Sequence, residues 1–271
     1  MRAAEAAYDA MAPVYDDFTA GSDYELWLGQ ILPRLERQGL PSRGTLLDVG
    51  CGTGNSFVPM LRRGWEVTGC DISAAMVGLA REKAEAIARE VPDAAVELSV
   101  ADMRELPDFG AFDLVWALDD AVNYLLGEDE LEAALGGMRR NLGPGGLLLF
   151  DLNTLRMYRS AFSAVEAVEA NGRLLVWHGR SPVDVAPGSI CEATVEARSP
   201  QGGKETGVAT SLHRQRHFPE ARVLAALDRA GLECLDVFGH GDDAVPAPLA
   251  ELAHDKAIYI SRRVEPAPHE A

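Results

Sequence analysis

Leu46-Leu47-Asp48-Val49-Gly50-Cys51-Gly52-Thr53-Gly54 decides the reading of this chain. Apolar, β-prone residues run into an acid, and three glycines then alternate with small residues. Such a run is a buried strand ending in a tight turn, where side chains have been removed so that a ligand can lie against the backbone. In a dinucleotide-binding turn the third glycine follows the second by three residues, for helix–strand packing. Here it follows by two and Asn55 comes next, which counts against a dehydrogenase.

Outward from the turn, strands and helices alternate. Residues 1–45 read as helices, with Leu26, Leu28, Ile31, Leu32 and Leu35 at helical spacing and Gly39-Leu40-Pro41 as a stop. The first strand covers 45–49, and Phe57, Val58, Met60 and Leu61 begin a helix that ends at Gly64. Trp65–Cys70 is a second strand capped by Asp71, with Ser73 as the N-cap of a helix to about Arg89. Val96–Val100 and Phe112–Leu118 are further strands. Leu131–Leu142 is helical, and Gly143-Pro144-Gly145-Gly146 turns into the apolar strand Leu147–Phe150. Alternation at this interval predicts a parallel, doubly wound α/β sheet that binds ligands beyond its carboxyl edge. Asp48, Asp71, Asp102, Leu118 and Asp151 all fall at or just after strand ends.

From about 172 the rhythm changes. Leu174–Gly179, Ile190–Arg198 and Gly207–Phe218 alternate polar and apolar residues between turn-rich stretches, which predicts a three-stranded antiparallel insertion after strand five. Pro219 opens a helix to about Ala230, and Leu232–Phe238 and Lys256–Arg262 are strands, with a loop over Gly239–His254. The expected organisation is an N-terminal helical segment at 1–44, an α/β core at 45–171 and an antiparallel β insertion at 172–218, which the resemblance described below makes a lid, a cofactor-binding core and an acceptor cap. The core resumes at 219–264, and 265–271 is a frayed tail.

At 271 residues and 47% hydrophobic content the chain has ample material for one large domain. Its 25 basic residues face 42 acidic ones, a formal charge of −17, and no basic run exceeds two residues. A nucleic-acid partner is therefore not expected, because phosphate binding needs clustered Lys and Arg. Cys51, Cys70, Cys191 and Cys234 are scattered, without metal-ligand spacing, so no metal is expected and free buried thiols are. With no apolar run near ~20 residues, a soluble, cytoplasmic protein without a membrane partner is expected. A homodimer stays open.

The glycine turn, Asp71-Ile72-Ser73 and Ala101-Asp102-Met103 together resemble the motifs of class I S-adenosylmethionine-dependent methyltransferases, from Tyr8 to about Asp151. The resemblance implies a Rossmann-like, mostly parallel seven-stranded sheet and S-adenosyl-L-methionine as cofactor. It assigns the backbone of Gly50, Cys51 and Gly52 to the methionine portion, with Asp48 near the ammonium. Asp71 takes the ribose hydroxyls, and Asp102 and Met103 take the adenine. Ile72, Met76 and Leu118 complete the expected contacts. Tyr8-Asp9-x-x-Ala12-Pro13-x-Tyr15-Asp16 is similar to the N-terminal lid of small-molecule members, where the second tyrosine, here Tyr15, closes over the methionine end.

For the acceptor, the exit of the fourth strand supplies Asn123 and Tyr124, and that of the fifth supplies Asp151 and Asn153. Asp151 reads equally well as a turn residue. Members acting on amino sugars often carry His near position 123, which this chain lacks. Leu118-Asp119-Asp120-Ala121 also departs from the DNA amino-methyltransferase pattern. In the insertion, alternation places His213, Gln215 and His217 on one face and Arg214, Arg216 and Phe218 on the other. That strand is either a solvated edge or the roof of the site, with Arg216 on the acceptor and Trp177 and His178 as a stacking wall. Asp119, Asp120, His213 and His217 are the candidate bases. The expected activity is methyl transfer to an N or O atom of a small-molecule acceptor, such as an amino sugar or natural product. The alternatives are an RNA-modifying methyltransferase and a non-catalytic cofactor-binding regulator.

Overall fold

A computed structural model describes residues 3–201, 204–241 and 247–264, so the expected tail at 265–271 lies outside the described residues. The N-terminal segment forms α1 (Ala3–Met11), α2 (Tyr15–Phe18) and α3 (Tyr24–Arg37). The alternating core follows as β1 (Thr45–Val49), α4 (Val58–Arg62), β2 (Glu66–Asp71), α5 (Ala74–Glu90), β3 (Val96–Val100), β4 (Phe112–Ala117), α6 (Glu128–Arg140) and β5 (Leu142–Asn153). Next come α7 (Leu155–Ser160) and the strands β6 (Val165–Ala170), β7 (Arg173–Gly179), β8 (Ile190–Gln201) and β9 (Lys204–Arg216). α8 (Glu220–Arg229), β10 (Leu232–His240), β11 (Ala247–Pro248) and β12 (Lys256–Arg263) complete the described elements.

The main sheet runs β11-β10-β12-β5-β4-β1-β2-β3. β1 to β5 pair in parallel, while β12 is antiparallel to both β5 and β10. The two-residue β11 is an eighth strand at the edge, beyond the seven expected. Two apolar layers sandwich the sheet. Leu131, Leu135 and Met138 of α6 and Val223 and Leu227 of α8 pack on one face. Leu28, Ile31 and Leu35 of α3, Met60 and Leu61 of α4 and Ile87 of α5 cover the other. Leu147 to Phe150 are fully buried, which suits a central strand covered on both sides.

β5 is longer than expected, starting at Leu142 and running through Gly143-Pro144-Gly145-Gly146. Its pairing with β4 shifts register between Phe112 and Leu114. A Cβ at Gly146 would sit 2.5 Å from the Phe112 carbonyl oxygen, so the two backbones meet only because that side chain is absent.

The insertion has four strands rather than three, in the order β6-β7-β8-β9. The extra strand, β6, is Val-Glu-Ala-Val-Glu-Ala, almost wholly exposed, so burial leaves no alternation in it to read. The inner face of the sheet carries Cys191, Ala193 and Val195 from β8, and packs on Tyr158 and Phe162 at one end and on Met11 and Val14 of the lid at the other. His213, Gln215 and His217 are buried on that side, which excludes the solvated-edge reading for this face. No helix among the described residues is long and apolar enough to cross a membrane.

Candidate active site

The winding of the sheet reverses between β1 and β4, and the cleft expected there opens beyond their carboxyl ends. On one lip is the turn after β1. Gly50 has φ +78°, and a Cβ there would lie 2.9 Å from the Cβ of Ala121 on the opposite lip. The turn amides face inward: Gly50 N–H donates to the Cys70 carbonyl at 2.7 Å, and Gly52 N–H to Asp71 Oδ2 at 2.9 Å. These two amides are therefore engaged within the fold.

A first cavity of about 840 Å³ lies against this turn. Gly50, Cys51, Gly52, Asp71, Ile72, Asp102, Met103, Leu118 and Tyr15 all line it. Asp71 also accepts the Ser73 amide on Oδ1, at 2.8 Å. Its carboxylate lines the cavity, and such a group at this strand end suits a vicinal diol. Burial raises the Asp71 pKa, and these amide donors oppose the rise. Asp102 is gripped by the Arg104 guanidinium through Nε and a terminal nitrogen, at 2.9 and 2.8 Å, and Arg104 continues to Glu130.

Two expected cofactor contacts lie off this wall. Met76 is on the buried face of α5. Asp48 sits behind Ser56, whose hydroxyl lines the cavity and donates to Asp48 at 2.6 Å. Burial pushes the Asp48 carboxyl up to about 7 despite that donor. The lid is pinned by its own acids. Asp9 accepts from the Ser73 hydroxyl at 2.6 Å, while Asp16 accepts from Thr53 at 2.5 Å and pairs with Lys83 at 3.0 Å.

A second cavity of about 1050 Å³ lies under the insertion, and Tyr8, Tyr15, Asp119 and Tyr124 line both. Its remaining walls include Phe18, Asp120, Asn153, Phe162, Glu166, Trp177, His213 and Gln215. Trp177 lies between Phe162 and Phe18, its indole N–H on the Ala161 carbonyl. His213 is held by the Tyr124 hydroxyl at Nδ1 (2.7 Å) and Ser211 at Nε2 (2.8 Å), and burial lowers its pKa to about 4. A third cavity, beside α3 and the start of β12, also reaches Asp119.

Asp119 and Asp120 form an unusual turn, with φ of +60° and +54°. Asp151 explains it. Buried within β5 rather than in a turn, it accepts the Asp119 amide at 2.6 Å and the Asp120 amide at 3.0 Å. Lys256 neutralises the group from β12, touching Asp120 and lying 3.1 Å from Asp151 and 3.7 Å from Asp119. Burial, with Asp119 and Asp151 adding to it, raises the Asp120 carboxyl to about 6 against the pull of Lys256. For Lys256 burial acts downward, but the three carboxylates reverse it and hold the ammonium charged. The Tyr24 hydroxyl donates to Asp119 at 3.1 Å.

Several acceptor-side expectations fall outside the cavities. Asn123 is fully buried and ties elements together, donating to the Arg216 carbonyl and accepting from the Asn153 amide. The Arg216 guanidinium turns to the Leu126 carbonyl. His217 accepts from the Gly188 amide and meets Glu251, which makes it a brace rather than a base. His178 faces Glu196 on the other side of the insertion. Tyr24, Glu166 and Lys256, which do reach the cavities, carried no local signal. Only the topology that sets β12 beside β5 brings Lys256 to Asp151.

A glycine turn and an acid at adjacent strand ends, with N-terminal helices and an inserted sheet beside them, form a site suited to a nucleoside cofactor. Comparison makes this specific. Residues 46–146 match a family described as a methyltransferase domain. A Streptomyces fradiae protein, dTDP-3-amino-3,6-dideoxy-alpha-D-glucopyranose N,N-dimethyltransferase, is 31% identical over 216 residues, covering 78% of each chain. A Geobacillus protein provisionally named a methyltransferase is 29% identical, over 94% of this chain and 99% of its own. The structure of an S-adenosylmethionine-dependent methyltransferase from Clostridium acetobutylicum superposes with a TM-score of 0.77 at 20% identity, covering 95% of this chain and 99% of the other, which supports the fold. The chain belongs to the class I S-adenosylmethionine-dependent methyltransferases. Its cofactor is S-adenosyl-L-methionine.

Proposed function

We propose that this enzyme N-methylates a small amine, with S-adenosyl-L-methionine in the first cavity and the amine in the second. The observation that carries the reading is the shared wall: three tyrosines and Asp119 stand where the cavities meet. Asp71 would hold the ribose hydroxyls, Asp102 and the Met103 backbone the adenine, and the carbonyl side of the Gly50–Gly52 turn the amino-acid end. When bound, the cofactor supplies a methyl group on a positively charged sulfur, which an uncharged nitrogen takes with its lone pair while sulfur keeps the bonding electrons.

The chain's own residues then have two tasks. The first is alignment without water, and Tyr8, Tyr15 and Tyr124 close the junction for it. Positioning of this kind accounts for up to ~7–11 kcal/mol of barrier in well-oriented systems. The second is charge. An ammonium group arriving in the second cavity meets Asp119, whose side chain is 36% exposed and therefore reachable. It must lose a proton before its nitrogen can attack, and Asp119 and Asp120, beside the junction of the cavities, are the candidate acceptors. His213 is held neutral by burial, with both ring nitrogens engaged, and serves as a wall.

The test is S-adenosylhomocysteine release from the purified enzyme with matched amine and alcohol acceptors. Amines are expected to react, at rates that rise between pH 6 and 9 in roughly the way the free-amine fraction does. Turnover of alcohols alone would overturn the reading.

A further inference from the structure

The wall of the second cavity is acidic, and its chemistry limits which amines fit. Among the described residues Asp119, Asp120 and Glu166 line it, and no arginine or lysine does. Lys256, behind Asp120, is committed to three carboxylates. The arginines of the surrounding segments are also committed. Arg156 pairs with Asp255, Arg159 holds the Val185 carbonyl, Arg173 pairs with Asp17, and Arg216 holds the Leu126 carbonyl.

A second observation is independent of these charges. Asn153 is 4% exposed and lines the cavity, and its Oδ1 has no hydrogen-bond partner. Its orientation is set by a relay: Gln215 Nε2 donates to the Asp120 carboxylate, so Gln215 Oε1 accepts from Asn153 Nδ2 at 3.0 Å. The unpaired atom is therefore an acceptor that needs a donor. An ammonium or hydroxyl group supplies one, and a phosphate oxygen does not.

We infer that the acceptor is an amine carrying no phosphate, bound with its ammonium group toward Asp119 and its apolar body on Phe162 and Trp177. This rests on the amine reading above, and it separates the chain from the relative named for a dTDP-linked sugar. A diphosphate needs paired cations or clustered amide donors, and here it would face carboxylates instead.

The test uses the full chain in three arms. In the first, S-adenosylhomocysteine-loaded enzyme is titrated with dTDP by calorimetry. No binding is expected up to about 1 mM, and a Kd in the micromolar range would overturn the inference. In the second, S-adenosylhomocysteine release is compared for dTDP-3-amino-3,6-dideoxyglucose and the methyl glycoside of the same amino sugar. The glycoside is expected to be favoured by about tenfold or more in kcat/KM, and preference for the nucleotide sugar would overturn it. In the third, Glu166→Lys, a change on an exposed edge strand, is expected to make dTDP binding detectable at a Kd of about 1 mM or below, and a variant that still binds none would refute the charge argument. If alcohols react and amines do not, the amine reading fails, while the dTDP arm still decides whether phosphate is excluded.

Discussion

The first cavity is built largely from backbone turns at consecutive strand ends, whereas the second is built from side chains that the fold gathers from the lid, the strand exits and the inserted sheet. The difference is one of tolerance. A turn such as Gly50–Gly54 serves any chain that binds the same cofactor, so the first cavity specifies little beyond it. The second changes with each side chain, so under the proposed function it is there that acceptors would be discriminated. Asp119 is common to both and to the third cavity, and Asp151 and Lys256 hold it in place.

Removing that support is the most disruptive way to test the division. Lys256→Met would leave Asp119, Asp120 and Asp151 together without their counter-ion. A loss of about 3 kcal/mol or more in unfolding stability is expected at pH 8, as for a buried pair broken on one side. The Asp120 pKa, already about 6, would rise further, so the loss should shrink at pH 5.5, where protons replace the missing cation. Denaturant melts at the two pH values check this, and an equal loss at both would refute the electrostatic account.

Asp71→Ala tests the other side. It removes both proposed ribose acceptors and leaves the Gly52 and Ser73 amides without their partner. Cofactor affinity is expected to fall by roughly 100-fold, about 3 kcal/mol. Calorimetry measures it, with circular dichroism to verify the fold. Unchanged affinity would remove Asp71 from the ribose.

The two cavities were also unequally legible in the sequence. The strand, the glycine turn and Asp71 lie within about one βαβ unit, where spacing along the chain stands in for distance in space. Alternation likewise placed His213 and Gln215 on one face of β9. It could not say what either face packs against: Arg216 reads as an acceptor contact and His217 as a candidate base, but the first holds the Leu126 carbonyl and the second braces a loop. Lys256 follows Asp151 by more than a hundred residues, and no local pattern links them. The acids of the lid were visible, but their work on Thr53 and Ser73 depends on tertiary docking. β6 was missed because an exposed strand of Ala, Val and Glu has no buried face to set a period of two.

Asp119→Asn separates the cavities within one residue. Asparagine tolerates the left-handed backbone, so the turn should persist. The carboxylate is lost to the acceptor while the cofactor contacts stay. We expect kcat/KM for an amine to fall by about 10- to 100-fold and cofactor affinity to change by less than about threefold. Loss of both together would show that Asp119 serves the cofactor as well as the acceptor.

Tyr124→Phe should have the smallest effect, because the ring that lines both cavities stays and only its hydroxyl is lost. It deletes the hydroxyl at His213 Nδ1 and leaves that nitrogen without its partner at a cost of about 1 kcal/mol. The direction with pH follows from the lowered His213 pKa. Its contribution to stability is complete above the unfolded value near 6.5, and is lost as pH falls through about 4. In the wild type, therefore, the insertion should loosen in acid while the glycine turn, which holds its shape through backbone bonds, does not. Hydrogen exchange of β9 against β1 between pH 7 and 4 measures this. Faster exchange in β9 alone supports the division, and parallel loss in both strands would show that the two cavities unfold as one.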